Sequence, residues 1–194
     1  MKVIVIGAAG HIGTYLVPML VNAGYDTVAI TRKMSQPYED NPAWHKVKRE
    51  LLDRESDPDF IQKLKAMEPD IIVDLVNFNI RETKKIVEGF QGSRLSHYVY
   101  CSSCWAHGMA QTIPFDPDDL RKEPLDDYGK DKFASELYLK EQYRTNGFPA
   151  TVIMPGQISG PGWTIINPWG NNSMKVFQDI ADGKEIALPN FGQE

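Results

Sequence analysis

The sequence has few cysteines, no excess of positive charge and no long apolar run, and each shortage excludes a class of protein. Only two of the 194 residues are cysteine, too few for a disulfide framework. Lys and Arg number 21 against 26 Asp and Glu, a formal net charge of -5, so no basic field attracts a nucleic-acid backbone. No apolar segment is long enough for a secretory signal or a membrane span. We therefore expect a globular, cytoplasmic protein that binds neither nucleic acid nor membrane.

The cysteines and histidines do not form a metal-binding pattern. Cys101 and Cys104 make a C-x-x-C pair at the end of a strand-like run. That position favours simple packing, with redox chemistry as the alternative, because redox pairs normally open a helix. His45 and His97 have no partner at metal-ligand spacing, so we predict no metal site.

Short runs rich in Val and Ile alternate with longer amphipathic stretches. This alternation is typical of successive βα units and predicts an α/β fold with a doubly wound parallel sheet, the Rossmann fold, as one domain over residues 1–194. The predicted strands are Lys2–Ile6, Thr27–Thr31, Lys46–Leu51, Asp70–Val76, His97–Ser102 and Ala150–Met154. The predicted helices are His11–Ala23, Pro58–Met67, Ile80–Phe90, Asp127–Thr145 and a short one from Asn172 to Asp182.

Two stretches interrupt this alternation and are predicted to be long loops. They are Lys33–Trp44 and Ala106–Pro124, both rich in proline and charge. Loops of this length in an α/β domain are more often functional than idle. His107, at the start of the second loop, is either a substrate contact or a plain polar residue.

A glycine-rich turn directly follows the first strand, and it reads GAAGHIG over residues 7–13. Gly7, Gly10 and Gly13 allow a tight turn, a close backbone approach to a pyrophosphate, and close packing of helix on strand. The helix that begins at His11 and Ile12 then points its N-terminus at the phosphates. The pattern predicts a nicotinamide dinucleotide site that includes these five residues.

The second strand ends without a carboxylate. A domain specific for NAD normally places an acidic residue there, to accept hydrogen bonds from the ribose hydroxyls. This chain has Arg32 and Lys33 instead, which can pair with a 2′-phosphate. We predict NADP as the cofactor, with NAD still an option; the alternative is that both are solvated loop charges.

A serine, a tyrosine and a lysine have the spacing of an acid–base site. Tyr128 and Lys132 are four residues apart and therefore lie on one face of the predicted helix. The lysine charge and the helix N-terminus are expected to favour the phenolate, so that Tyr128 exchanges a proton with a substrate hydroxyl. Ser103, at the end of the fifth strand, is predicted to hydrogen-bond the same substrate oxygen.

With these motifs, the chain resembles the extended short-chain dehydrogenase/reductase family, which contains nucleotide-sugar epimerases and dehydratases. The resemblance covers most of the sequence. Four segments carry it, namely the glycine loop, His97–Ser103, the pair Tyr128 and Lys132, and Pro155–Gly162. It implies hydride transfer at the nicotinamide, with Tyr128 as acid and base, Lys132 holding the ribose and tuning Tyr128, and Ser103 orienting the substrate.

The resemblance also implies further cofactor contacts. Asp53, after the third strand, matches the acidic residue that contacts the adenine, while Pro155 and Ile158 match the segment beside the nicotinamide. Val76 is assigned to the same site, and Val76-Asn77-Phe78 stands where the family has small residues. Family members continue into a C-terminal substrate lobe, which is expected to be largely absent here, with 155–194 as its truncated start.

These inferences predict an NADP-dependent oxidoreductase or epimerase that acts on a small carbonyl or sugar-like substrate, with sugar nucleotides among the candidates. Two alternatives stay open. One is a non-catalytic dinucleotide-binding or regulatory protein, and the other is an inactive fragment of a longer enzyme. The family further implies a homodimer through the helices Ile80–Phe90 and Asp127–Thr145.

Overall fold

The computed structural model describes residues 1–34, 36–109, 114, 116–169 and 173–188. It divides the chain into two compact units, Met1–Gly156 and Gln157–Glu194. The first unit contains all six strands and four of the helices, and the second contains one short helix. The assignment of 155–194 to a substrate-binding region stays a prediction.

The first unit is built on a six-stranded sheet in which every pairing is parallel. The strand order is β3-β2-β1-β4-β5-β6, so the chain reverses its direction of winding between β1 and β4. This is the doubly wound order, and the predicted fold class is confirmed. The strands are β1 (Lys2–Ile6), β2 (Asp26–Thr31), β3 (Lys48–Leu51), β4 (Ile71–Asp74), β5 (His97–Cys101) and β6 (Ala150–Ile153).

The helices begin and end where capping chemistry allows. The Asn79 side chain accepts a hydrogen bond from the backbone of Glu82, and that of Asp126 accepts one from Gly129, which satisfies donors of the first turns of the third and fourth helices. The fourth ends at Gly147, whose φ of 65° is left-handed. The helices are α1 (His11–Asn22), α2 (Phe60–Ala66), α3 (Ile80–Phe90), α4 (Asp127–Asn146) and α5 (Lys175–Ala181).

The core lies on both faces of the sheet, because alternate strand residues point to opposite sides. Val3 and Val5 pack with Val17 of α1 and with Trp44. The other face packs against α2, α3 and α4, with α3 between its two neighbours. Trp44 belongs to a 3₁₀ turn, Pro42–Lys46, so part of the first predicted loop is ordered against α1.

The second unit is small within its described residues. Its backbone is held by side chains: the Asn167 amide donates to Ser173 O at 2.8 Å, and the Trp169 indole donates to Ala187 O at 2.6 Å. Its helix α5 is shorter than the predicted Asn172–Asp182, and Asn172 lies outside the described residues. Of the helices in the described ranges, none is long and apolar enough to cross a membrane.

The largest difference from the predicted strand ends is in β4. The apolar run predicts a strand as far as Val76, but the strand ends at Asp74. Val76 leaves the sheet and packs against the glycine turn: a Cβ on Gly7 would lie 2.6 Å from Val76 Cγ1. Val76 therefore packs against the neighbouring loop and does not extend the strand pairing of β4.

Candidate active site

The turn between β1 and α1 needs glycine for steric reasons. Gly7 has a φ of 84°, a conformation that L side chains rarely adopt. A Cβ on Gly13 would lie 2.2 Å from the carbonyl oxygen of Ala8, so the helix can approach the strand only without a side chain there. The Gly10 N–H donates to Gly7 O at 3.0 Å and closes the turn.

The first residues of α1 shape the turn. His11 is 9% exposed, stacks on Tyr38 with ring centroids 5.8 Å apart, and contacts the Tyr38 hydroxyl through Nδ1. Ile12 is half-buried and Gly13 is buried. The N-cap of α1 is Gly10, which has no side chain to occupy the positive end of the helix.

A cavity of about 300 Å³ opens beside this turn. Six of the predicted cofactor residues line it: Gly7, Gly10, Arg32, Lys33, Asp53 and Val76. Residues that the sequence analysis did not assign also line it, including Arg54, Glu55, Phe60 and Phe78. The structure thus brings the ends of β1, β2, β3 and β4 to one concave surface. It does not place His11, Ile12 or Gly13 in the lining.

The charged residues of the cavity differ in exposure. Arg32 and Lys33 are exposed at the end of β2. Asp53 is half-buried, and its carboxylate accepts a hydrogen bond from the Glu55 backbone at 3.1 Å. The Arg54 side chain is only 8% exposed and is paired with Asp74. Two cations are therefore accessible to a ligand phosphate, while the third is neutralised within the wall.

Ser103, Tyr128 and Lys132 are brought together at the carboxyl end of the sheet. Ser103 follows β5, is 8% exposed and accepts a hydrogen bond from Trp105 N at 3.2 Å. Its side chain also interacts with that of Tyr128, which is 38% exposed in the first turn of α4. Lys132 lies one turn further, with Nζ 5.5 Å from the centroid of the Tyr128 ring.

The Lys132 side chain is 1% exposed and is held by backbone oxygens. Its Nζ donates to Asn77 O and to Cys101 O, both at 2.7 Å. The rings of Phe78 and Tyr100 also face the ammonium, with centroids 5.2 and 5.0 Å away. The lysine is therefore fixed between the ends of β4 and β5.

Burial shifts the pKa of both groups. The pKa of Tyr128 is raised because its phenol is partly removed from water, and the hydrogen bond with Ser103 offsets only part of this. Burial lowers the pKa of Lys132 to about 8. At neutral pH, Tyr128 therefore keeps its proton, and Lys132 is closer to losing its own than an exposed lysine would be.

The expectation that Lys132 and the helix N-terminus lower the pKa of Tyr128 is wrong for this structure. Desolvation of the phenol dominates its pKa. The Lys132 ammonium points its hydrogen bonds at two carbonyl oxygens, so it is not aimed at the phenol. The four-residue spacing predicts the shared helix face correctly but not this orientation.

A second buried charge stands next to Ser103. Glu136, one turn after Lys132, contacts the Ser102 hydroxyl and accepts a hydrogen bond from Lys122 Nζ at 2.7 Å. The side chains of Lys122 and Glu136 are each 1% exposed. Lys122 belongs to the second predicted loop, so this ion pair fixes the end of that loop to α4. Positions 110–113 and 115 of the loop lie outside the described residues.

The segment after β6 meets the site at one point. Pro155 O accepts a hydrogen bond from Cys104 N at 2.9 Å, which places Pro155 beside Ser103. Ile158 belongs to the second unit, and its contact with the cofactor stays a prediction. His107 contacts Asp116 O at 3.0 Å through Nε2.

Sequence reasoning assigned no site role to four residues of this region. Arg54 and Asp74 form a buried ion pair, Asn77 joins Asp74, and Phe78 stands between the cavity and Tyr128, with ring centroids 6.2 Å apart. The available signal was a charged residue in an otherwise apolar strand, Asp74. Within the described ranges, no group of three or more His, Cys, Asp or Glu residues is arranged to hold a metal ion.

Comparison with known proteins identifies the family. The sequence model of the NAD-dependent epimerase/dehydratase family matches residues 3–193. The chain belongs to this family, as its resemblance to extended short-chain dehydrogenases predicted.

Several curated proteins align with nearly the whole chain. An uncharacterized 37.6 kDa protein of Escherichia coli O111:H- is 27% identical over 100% of this chain and 64% of its own length. A UDP-glucose 4-epimerase of Rhizobium leguminosarum bv. trifolii is 25% identical over 99% of this chain and 64% of its own. A chloroplast stem-loop binding protein of Arabidopsis thaliana is 24% identical over 98% and 50%. The chain thus spans between half and just under two thirds of these relatives.

Solved structures share the fold. The UDP-glucuronic acid 4-epimerase of Bacillus cereus, in complex with NAD, has a TM-score of 0.71 at 19% identity, covering 95% of this chain and 64% of that one. The Bordetella bronchiseptica enzyme WbmG, also in complex with NAD, has a TM-score of 0.72 at 14% identity, covering 96% and 61%. At these identities the likeness shows the fold alone.

Proposed function

We propose that this chain is the cofactor-binding and proton-transferring part of an epimerase-type enzyme that moves a hydride between a nicotinamide and a sugar nucleotide. Tyr128 is the acid and base, Ser103 orients the reacting oxygen, and Lys132 holds the ribose of the cofactor. The observation that carries the proposal is that Phe78, which lines the cavity together with the glycine turn, also contacts Tyr128 and Lys132.

The residues around the cavity fit a dinucleotide. Gly7 and Gly13 permit the tight turn and the close approach of α1 to β1, and Gly10 places no side chain at the N-terminus of α1, which favours an anion there. When bound, the nicotinamide accepts a hydride from the substrate carbon and returns it. The family is NAD-dependent. We propose NADP for this chain because Arg32 and Lys33 are exposed on the cavity wall, where the charge of a 2′-phosphate needs a partner.

The proton step follows from the state of Tyr128. Oxidation of a sugar hydroxyl needs Tyr128 first as a base, in its phenolate form, and the reduction of the carbonyl that follows needs it as an acid. The raised pKa of Tyr128 favours the protonated, acid form in the resting chain. The Ser103 hydroxyl, which interacts with Tyr128, orients the substrate oxygen. The Phe78 ring lies beside the Tyr128 ring, with centroids 6.2 Å apart.

The substrate class is proposed from the names of relatives. One relative is a UDP-glucose 4-epimerase, and a structure that shares the fold holds UDP-glucuronic acid together with NAD. A reversible oxidation at one sugar carbon, followed by reduction from the other face, uses one tyrosine for both proton transfers. This fits a site with a single phenol in the place where the reacting oxygen would lie.

The test compares the unaltered chain with Tyr128→Phe and Ser103→Ala. Cofactor affinity is measured by titration with NADPH and NADH, and conversion of UDP-glucose and UDP-glucuronic acid is followed by NMR of the sugar protons. Tyr128→Phe should lower turnover about 100- to 10,000-fold and leave both cofactor affinities within about twofold, because it removes only the hydroxyl.

Two results would contradict the proposal. If the unaltered chain binds neither NADPH nor NADH, the cofactor assignment fails. If it binds a cofactor and converts no sugar nucleotide, or if Tyr128→Phe is as active as the unaltered chain, the catalytic assignment fails. Cofactor binding without any conversion would favour a non-catalytic dinucleotide-binding protein.

A further inference from the structure

A buried polar network lies at the carboxyl ends of β4 and β5, and the proposed reaction does not use it. Arg54 Nη2 donates to both carboxylate oxygens of Asp74, each at 2.8 Å. The Tyr98 hydroxyl donates to Asp74 Oδ2 at 2.8 Å. Asn77 Nδ2 donates to the same oxygen at 3.2 Å and to the Tyr98 oxygen at 3.3 Å. Asp74, Asn77 and Tyr98 are all 0% exposed.

One end of this network forms part of the cofactor cavity. Arg54 lines the cavity, and its guanidinium carbon lies 5.4 Å from the ring centroid of Phe60, another lining residue. Arg54 Nε and Nη1 are buried without a hydrogen-bond partner among the described residues. An arginine that forms an ion pair through one nitrogen and leaves two donors unpaired is poorly explained as a stabilising feature, because apolar side chains would fill the same space at lower cost.

The other end of the network holds Lys132. The side chain of Asn77 is anchored by Asp74, while its backbone carbonyl accepts a hydrogen bond from Lys132 Nζ at 2.7 Å. Asn77 therefore connects Asp74, which binds its side chain, to Lys132, which binds its backbone carbonyl. Any shift of Asp74 moves the amide that fixes this carbonyl, and with it one of the two oxygens that hold the lysine.

We propose that Arg54 is a positioning residue of the cofactor site, which acts through Asp74 and Asn77 on Lys132. Binding at the cavity wall and the hold of Lys132 on the ribose are then coupled through three successive contacts. The inference rests on the proposed function, because it takes the cavity as the adenosine side of the cofactor site and Lys132 as the ribose contact. It adds Arg54, Asp74 and Asn77 to the residues that set cofactor affinity.

A double-mutant cycle on cofactor affinity tests this coupling without any turnover. Arg54→Met, Lys132→Met and the double variant are titrated with NADPH and NADH. Each single substitution should weaken binding about tenfold, and the double should weaken it about 10- to 20-fold, because both act on the same contact. The matched control pairs Lys132→Met with Arg32→Ala, which lies on the same cavity wall but outside the network. In that double variant, the fold-losses of cofactor affinity from the two single substitutions should multiply.

A milder variant keeps the test decisive if Arg54→Met, which leaves Asp74 unpaired, fails to fold. Tyr98→Phe removes one hydroxyl from the network and keeps the ring in the core. It should weaken cofactor binding about three- to tenfold and be non-additive with Lys132→Met. Phe148→Leu is its control, because Phe148 packs on the Tyr98 ring with centroids 5.9 Å apart and contributes no polar contact. It should leave affinity unchanged.

The outcomes separate this inference from the proposed function. If the unaltered chain binds a cofactor but the losses of Arg54→Met and Lys132→Met multiply to about 100-fold, the coupling is overturned and the cofactor site stands. Unchanged affinity in Tyr98→Phe overturns it as well. If the unaltered chain binds no cofactor, or Lys132→Met has no effect, the proposed function fails first and this inference fails with it.

Discussion

The two ends of the site are built differently. At the cofactor cavity, shape comes from the backbone, through Gly7 and Gly13, and the charges of Arg32 and Lys33 stand exposed to solvent. At the proposed catalytic end, around Tyr128, the charge is buried: Lys132 is 1% exposed and is held by two carbonyl oxygens.

This difference in burial determines whether a substitution at each end changes ligand affinity or the stability of the fold. Exposed cations contribute little to folding and much to the recognition of an anion. Buried charges are paired at a large desolvation cost, so removing one partner destabilises the fold. Substitutions of side chains at the cavity should therefore change affinity, and substitutions at the catalytic end should change stability as well.

The largest expected effect on stability is that of Lys122→Met. It leaves the Glu136 carboxylate buried without its cation, and the free energy of unfolding should fall by about 3–5 kcal/mol. Urea unfolding followed by circular dichroism measures this loss. Lys140→Met is the control, because Lys140 pairs with the exposed Asp118 and should cost less than about 1 kcal/mol. Equal losses in the two variants would remove the distinction between buried and exposed charge.

Apart from the buried Arg54–Asp74 pair, the cofactor cavity should lose stability when its backbone is altered and not when its exposed side chains are. In Gly13→Ala, the new Cβ meets the Ala8 carbonyl at 2.2 Å, so the turn must shift, at a cost of about 1–3 kcal/mol and with loss of NADPH and NADH binding. Thermal unfolding and the same titrations measure both effects. Gly156→Ala is the control, since a Cβ there meets nothing within 4 Å. A fully stable Gly13→Ala variant that still binds cofactor would contradict the assignment of this turn.

The free energy of unfolding should depend on pH in a way that reflects the lowered pKa of the buried Lys132. Burial lowers the pKa of Lys132 to about 8 in the folded chain, while an unfolded lysine titrates near 10.4. Between these values the unfolded chain binds more protons, so the free energy of unfolding rises with pH. From pH 8 to 10, the unaltered chain should gain about 1–2 kcal/mol relative to Lys132→Met.

The control for this measurement is Lys130→Met, on the same helix but with an exposed side chain. A Lys132→Met difference that depends on pH no more than the Lys130→Met difference does would contradict the lowered pKa of Lys132.

The smallest expected effect on stability is that of Arg32→Ala. Arg32 is exposed, so the free energy of unfolding should change by less than about 0.5 kcal/mol. NADPH affinity should nevertheless fall about tenfold while NADH affinity changes little, because only NADPH carries the 2′-phosphate. Lys48→Ala, an exposed charge on β3 away from the cavity lining, is the control for both titrations. Equal losses for the two cofactors would contradict the preference for NADP.

The sequence was sufficient for those parts of the fold that depend on local pattern. The strand of Val and Ile from Lys2 to Ile6 and the helix Ile80–Phe90 have the predicted bounds, because hydrophobic periodicity and capping are local properties. The spacing of Tyr128 and Lys132 predicted their shared face, since residues four apart are neighbours on any helix.

The buried electrostatics could not be predicted in the same way. Arg54 follows β3 and Asp74 ends β4, and two other strands lie between β3 and β4 in the sheet. The sequence does not show that these two residues form an ion pair or how deeply either is buried. Lys132 was expected to act on Tyr128, but its hydrogen bonds go to backbone oxygens. Desolvation depends on three-dimensional packing, and it decides the pKa of both residues.

The contact between Gly108 and Glu123 has a consequence for how proteins built on this scaffold can diverge. The two residues form a β-bridge, and a Cβ on Gly108 would lie 1.9 Å from Glu123 O. The bridge therefore joins the two ends of the segment between Gly108 and Glu123. The entropic cost of bringing the ends of such a loop together depends only weakly on the length of the loop. Lys122 belongs to this segment and pairs with the buried Glu136, so exchange is tolerated only for residues that precede it. Changes there leave the Lys122–Glu136 pair, and Ser103 and Tyr128 on either side of the segment, in place.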